Sequence, residues 1–151
     1  MKNLTLCIIA LIFITSYSCK KNEKEIEQDY LESIIDKMDI NDNIKWVIVL
    51  PGLGCHGCIQ EAEAFMKEHI ENKDILFVLT KIESFKILQN KLEIKIKDYK
   101  NIHIDKKHEI SFPTDNGVYP CIIELDNGKI KSHEFQSPNN SYAFGKLESK
   151  I

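Results

Sequence analysis

The chain has no arginine: all 20 of its basic side chains are lysine. Arginine carries the planar fork that grips a phosphate or a guanine edge with two parallel hydrogen bonds, whereas lysine offers a point charge. With a formal net charge of −3 and no basic stripe, nucleic acid is excluded as an expected partner. Internal repeats and low-complexity tracts are also absent, which excludes a solenoid or an array. A membrane-spanning run is missing too. The apolar stretch "LTLCIIALIFIT", Leu4 to Thr15, covers a dozen positions, short of the ~20 that a spanning helix needs.

What is present suits one domain. The 151 residues match the ordinary domain size of roughly 100–150 residues, enough to bury a core without disulfides. The first residues read as an export signal: a positive start at Met1-Lys2-Asn3, the apolar stretch, then a small-residue site at Ser16-Tyr17-Ser18-Cys19. Cys19, ahead of the polar "KKNEKEIEQD", resembles the lipidated cysteine of the bacterial lipoprotein lipobox, with Ser16 and Tyr17 as departures from that pattern. The resemblance implies removal of residues 1–18, a lipid on Cys19, a mobile tether over 19–29 and a folded domain over 30–151. It also implies a place in the cell envelope, facing the periplasm. The alternative is ordinary cleavage near Ser18 with Cys19 left as a free thiol.

Export changes the cysteine arithmetic. Cys7 leaves with the signal and Cys19 carries the lipid, so the domain holds Cys55, Cys58 and Cys121. An odd number cannot pair off completely, and a structural framework in an oxidising compartment normally comes in even numbers. The close pair therefore reads as reactive, and Cys121 either as a small buried residue of the sheet or, were it to face Cys55, as a third redox thiol.

Helical and strand patterns alternate along the domain. Tyr30, Leu31, Ile34, Ile35 and Met38 recur at helical spacing, and Asn41-Asp42-Asn43 breaks it. "WVIVL", Trp46 to Leu50, and "ILFVLT", Ile75 to Thr80, read as strands covered on both faces. Between them Cys58, Ala62, Phe65, Met66 and His69 share one helical face. Glu83 to Lys91 is helical through Phe85 and Leu88, although "LEIKIK" then alternates and leaves the helix end open. Ile102 and Ile104 suggest a short strand. "CIIEL", "DNG" and "KIKSHEF" make a hairpin from Cys121 to Phe135, and Ser141 to Leu147 forms a last short helix. The order predicts an α/β or α+β sandwich on a central mixed sheet.

The stretch "LPGLGCHGCIQEAEAFM" then sets Cys55 where strand and loop give way to a helix, with Cys58 one turn on. Cysteines so spaced face the same side within disulfide reach. The first lies among the unpaired N–H groups of the helix start, where the positive end of the dipole stabilises a thiolate. His56 can add positive charge when protonated, and Gly54 and Gly57 leave the sulfur open.

Tyr119-Pro120 stands directly ahead of the hairpin, at the one place in a strand that tolerates proline. A strand, a Cys-x-x-Cys at a helix start, and later a proline before a hairpin with an Asp-Asn-Gly turn resemble the thioredoxin-like superfamily, over Trp46 to Phe135. Pro120 follows Cys55 by 65 positions, a spacing similar to the membrane-anchored TlpA-like thiol reductases. Residues 74–105 are the right size for the extra strand-helix unit of those proteins. The resemblance implies a thioredoxin-like fold, a central mixed β-sheet flanked by helices. It further implies a cis Pro120 against the disulfide, Tyr119 offering backbone groups to substrate, and thiol-disulfide exchange through Cys55 and Cys58 with no cofactor. The implied partners are exported proteins with a disulfide or dithiol, a thiol relay that resets the pair, and the membrane through the lipid.

Three departures stand out: Gly54 replaces the family's aromatic, His-Gly separates the cysteines, and Val49 stands where many thioredoxins bury an acid. Glu61 and Glu124 remain as candidate proton acceptors for Cys58. Two rivals remain in view, a copper chaperone using Cys55, Cys58 and a distant His103 or His108, and a non-catalytic surface lipoprotein. "PGLGC" lacks the threonine expected of a peroxidase loop.

Overall fold

The computed structural model describes residues 21–151. The expected signal peptide, 1–18, and the lipidation at Cys19 lie outside the described residues.

The first helix, α1 (Glu23–Met38), corrects the expected tether: it starts inside the 19–29 stretch, seven residues before the apolar periodicity begins at Tyr30. Asn22 caps the amide of Glu25 while the Glu25 carboxylate returns to the Asn22 amide. This reciprocal capping box, with Glu23 and Glu25 at the positive end of the dipole, starts a helix without apolar help. The helix then buries Leu31, Ile34 and Ile35.

Five strands form one mixed sheet in the order β3-β2-β1-β4-β5. They are β1 (Trp46–Pro51), β2 (Ile75–Thr80), β3 (Ile102–Ile104), β4 (Cys121–Asp126) and β5 (Lys129–Phe135). The first three run parallel, while β4 is antiparallel to β1 and β5 to β4. β1 is buried along its whole length between β2 and β4, as its unbroken apolar run requires.

Helices cover both faces of the sheet, so the α/β reading with a central mixed sheet holds. Ile48, Leu50 and Phe77 pack under α2 (His56–His69), α3 (Phe85–Leu92) and α4 (Ala143–Glu148), through Ala62, Phe65, Met66, Leu88 and Phe144. Val47, Val49, Val78, Cys121 and Ile123 face α1.

The turn between β4 and β5 places Asn127 and Gly128 at φ 50° and 75°, the pair of left-handed residues that a two-residue hairpin turn needs. The "LEIKIK" alternation proves not to be a strand. Glu93 closes α3 at φ 59°, and Ile94 and Ile96 then turn into the core, the latter opening a 3₁₀ turn at Ile96–Asp98.

The chain leaving β3 is organised by one buried carboxylate. Asp105 accepts from the Thr80 hydroxyl at 2.9 Å and from the amides of Glu109 and Ile110 at 3.0 and 2.9 Å. Burial alone would raise its pKa, but the amides of Ile110 and Glu109 and the Thr80 hydroxyl outweigh it and hold the carboxyl below its ordinary 3.8. A pKa depressed in the folded state contributes stability above the unfolded value and loses it as pH falls through the folded one. Asp105→Ala should therefore cost about 2–3 kcal/mol at neutral pH by stranding these donors. The deficit relative to wild type should shrink on acidification below the ordinary carboxylate value, as read by urea unfolding at stepped pH.

Candidate functional site

β1 runs out at Pro51 into an exposed loop, and the loop delivers Cys55 to the start of α2. Cys55 is the N-cap residue, with extended backbone at φ −65°, ψ 101°, and its carbonyl accepts the first helical bond from Ile59 at 2.9 Å. Its sulfur is joined to that of Cys58, with the two Cα atoms 5.3 Å apart. The pair is asymmetric. Cys55 is partly exposed, whereas Cys58, on the inward face with Ala62 and Phe65, is only 6 % exposed. The first turn of α2 holds no acidic side chain, and its last turn carries Lys67 and His69. No carboxylate of that first turn therefore competes with a thiolate for the positive helix end. His56 stands exposed beside Cys55.

Gly54 has a role that its sequence neighbourhood does not reveal. Its φ is 147°, and a Cβ built there would lie 2.1 Å from the Val118 carbonyl oxygen. The same carbonyl accepts the Cys55 amide at 3.0 Å. The segment over the pair is thus the 3₁₀ turn Asp115–Val118, which touches the backbone of Gly54 and Cys55 so closely that any side chain at 54 would push it off. Gly57, by contrast, faces open space.

The expected cis Pro120 is corrected: no peptide bond among the described residues is cis. Pro120 is buried just ahead of β4, and its carbonyl accepts the Gln136 amide at 2.9 Å. The Tyr119 amide is already engaged, donating to the Asn116 carbonyl at 3.0 Å. The backbone that meets the cysteine pair is therefore that of Val118. Leu53 and Val118 are 51 % and 44 % exposed, one on each side of the Gly54 contact. The sequence reading missed both, since an apolar side chain within a loop carries no periodic signal.

The other candidates separate. Cys121 lies opposite Val49 on the α1 face of the sheet, fully buried, while α2 packs on the other face. Burial, with the charges of Glu27 and Glu134 adding to it, pushes its thiol well above the ordinary range, so it remains protonated at neutral pH. Glu124 pairs with Trp46 at the beginning of β1, about 16 Å of strand from the Pro51 end. There it is held by Lys131 and Lys150, so it is removed as a proton acceptor for Cys58. Glu61 stands one turn beyond Cys58 and is bonded by the Gln136 side chain amide.

His103 lines a cavity of about 600 Å³ with Ile70 and Lys73, which lie beyond the last turn of α2, and on β3 it stands opposite Val78, two strands across the sheet from Val49. His108 is exposed in the loop after β3. Among the described residues, the one group of His, Cys and carboxylate side chains with ligand atoms within 4.8 Å of one another is Glu68, His69 and Glu148. It also lies at the far end of α2, so the histidines of the copper reading are not gathered at the pair.

Among the described residues no helix is long and apolar enough to cross a membrane. Comparisons with protein-family models, curated proteins and solved structures give no match.

Proposed function

We propose that the chain is a thiol-disulfide oxidoreductase on a thioredoxin-like fold, held to a membrane by lipid on Cys19 and acting on exported proteins outside the cytoplasm. The observation that carries this reading is the asymmetric pair, a partly exposed Cys55 at an uncompensated helix start and a buried Cys58 one turn later. Three features of the fold support it. β1 feeds the cysteine helix from the centre of the sheet, parallel β2 lies on one side, and the antiparallel hairpin with Pro120 at its head lies on the other.

In the reducing direction the Cys55 thiolate attacks one sulfur of a substrate disulfide. That S–S bond breaks and the released substrate thiolate takes a proton. Cys58, deprotonated, then attacks the Cys55 sulfur, expels the second substrate thiolate and leaves the Cys55–Cys58 disulfide. Run backwards, the same steps donate a disulfide. Glu61 is the nearest carboxylate along α2 to receive the Cys58 proton. The substrate chain lies across Val118, Tyr119 and Pro120, with its apolar side chains on Leu53 and Val118. A thiol relay resets the pair, and the exchange needs neither metal nor nucleotide.

The test is to equilibrate the purified chain in glutathione buffers of graded ratio, followed by thiol trapping and site-resolved mass spectrometry. A midpoint near that of thioredoxin, ~−270 mV, assigns a reductant, and one near ~−120 mV a disulfide donor. Thiols that resist trapping in every buffer until the protein is denatured would sink the redox reading.

A further inference from the structure

Behind the turn that covers the cysteine pair lies a buried polar cluster built from α1. The side chains of Glu27 and His133 are 4 % and 3 % exposed and face each other at 3.3 Å. The other Glu27 oxygen accepts from the Thr114 hydroxyl and, at 2.7 Å, from the Asn116 side-chain amide. His133 in turn meets the Gln28 side chain at 3.2 Å. Burying a carboxylate this deeply is costly unless its lone pairs are satisfied. Here every partner comes from a distant part of the chain, 87 to 106 positions away.

Thr114 and Asn116 bracket the start of the turn whose end touches the backbone of Gly54 and Cys55. The Gly117 amide returns to the Thr114 carbonyl at 3.3 Å, the Tyr119 amide to the Asn116 carbonyl at 3.0 Å, and the Val118 carbonyl takes the Cys55 amide at 3.0 Å. The turn has little apolar anchorage of its own: none of Asp115 to Val118 is buried, and Val118 is 44 % exposed. The polar grip of Glu27 therefore fixes a segment that its own packing would leave loose.

We infer that Glu27 is a positioning residue for the redox pair: by holding Thr114 and Asn116 it keeps the Val118 carbonyl on Cys55 and so limits how fast the disulfide opens. This rests on the thiol-disulfide reading. A carboxylate and a carboxamide share the oxygen that accepts from Thr114 and Asn116, whereas alanine has none, which separates anchoring from charge.

The experiment measures, on the oxidised full chain, the rate of Cys55–Cys58 reduction by dithiothreitol and the hydrogen exchange of the Cys55 amide. Urea unfolding alongside establishes that each variant is folded. Glu27→Ala should accelerate reduction and amide exchange fivefold or more, while Glu27→Gln should stay within twofold of wild type. Rates for Glu27→Ala within twofold of wild type, or equal shifts in the two variants, would overturn the inference. Should Glu27→Ala fail to fold, Thr114→Val and Asn116→Ala each remove one donor from the other side. Each should accelerate reduction at least twofold, and unchanged rates in both would count against Glu27. A wild-type disulfide that dithiothreitol cannot open in the folded chain would instead defeat the redox reading, and this inference with it.

Discussion

Serine in place of Cys55 should eliminate disulfide reduction, by about three orders of magnitude or more, while serine in place of Cys58 should leave the first attack intact and trap the substrate. The asymmetry follows from position. Cys55 sits at the helix start and is partly exposed, whereas Cys58 is buried on the inward face of α2 that also carries Ala62 and Phe65. Only a thiolate attacks a disulfide at a useful rate, and of the pair only Cys55 combines solvent exposure with a place at the helix start, the setting that favours a thiolate. A hydroxyl at 55 has neither the acidity nor the nucleophilicity to substitute. With serine at 58 the mixed disulfide forms but no internal thiol resolves it. Incubation with a disulfide-bonded test protein, followed by non-reducing electrophoresis, should show a covalent adduct for Cys58→Ser and none for Cys55→Ser. Adducts in equal yield from both variants would contradict the assignment of Cys55 as nucleophile. Cys121→Ser should change neither pattern, because that thiol is fully buried on the other face of the sheet.

The parts legible in the sequence are those whose signal is local. β1 and β2 are continuous β-branched and apolar runs, the hairpin declares itself through Asn127-Gly128, and the cysteine pair marks the junction of strand and helix. What was missed depends on contacts between residues far apart in the chain. Glu27 sits in a polar run that reads as solvent-facing, and only the arrival of Thr114, Asn116 and His133 makes it interior. The first turns of its helix, ahead of the apolar repeat that begins at Tyr30, are illegible for a related reason: the capping box of Asn22 and Glu25 precedes that repeat. Glu124 misled in the opposite sense. Three positions from Cys121 looks close along the sequence, but an extended strand carries it about 10 Å toward the other end of the sheet. The cis Pro120 expectation came from the family resemblance and not from the residues, and trans is the default geometry for such a bond.

Gly54 was also opaque, since nothing beside it in sequence announces that Val118 will arrive. Gly54→Ala should be the most disruptive small substitution near the pair, and Gly57→Ala, three positions on, nearly silent. At 54 the new Cβ would sit 2.1 Å from the Val118 oxygen and 2.8 Å from its carbonyl carbon, on a residue whose φ of 147° disfavours any side chain. Both contacts are to backbone, so no rotamer change relieves them. Either the backbone at 54 leaves its conformation or the Asp115–Val118 turn lifts away and the Cys55 amide loses its acceptor. Strain of this kind costs of the order of 1–3 kcal/mol for the torsion, and the clash adds to it. A loss of about 3 kcal/mol corresponds to roughly 6–12 °C in Tm for a domain of this size. At 57 a Cβ meets nothing within 4 Å, and replacing a helical glycine by alanine is worth about 0.5–1 kcal/mol in the stabilising direction. Thermal unfolding of the two oxidised variants beside wild type measures the difference. If Gly54→Ala melts with wild type, then Val118 does not rest on the strand-to-helix loop and the cover over Cys55 is not there. If it melts early while its disulfide opens faster to dithiothreitol, the close approach at Gly54 and the anchoring by Glu27 are two ends of one arrangement, α1 holding the turn and glycine letting it land.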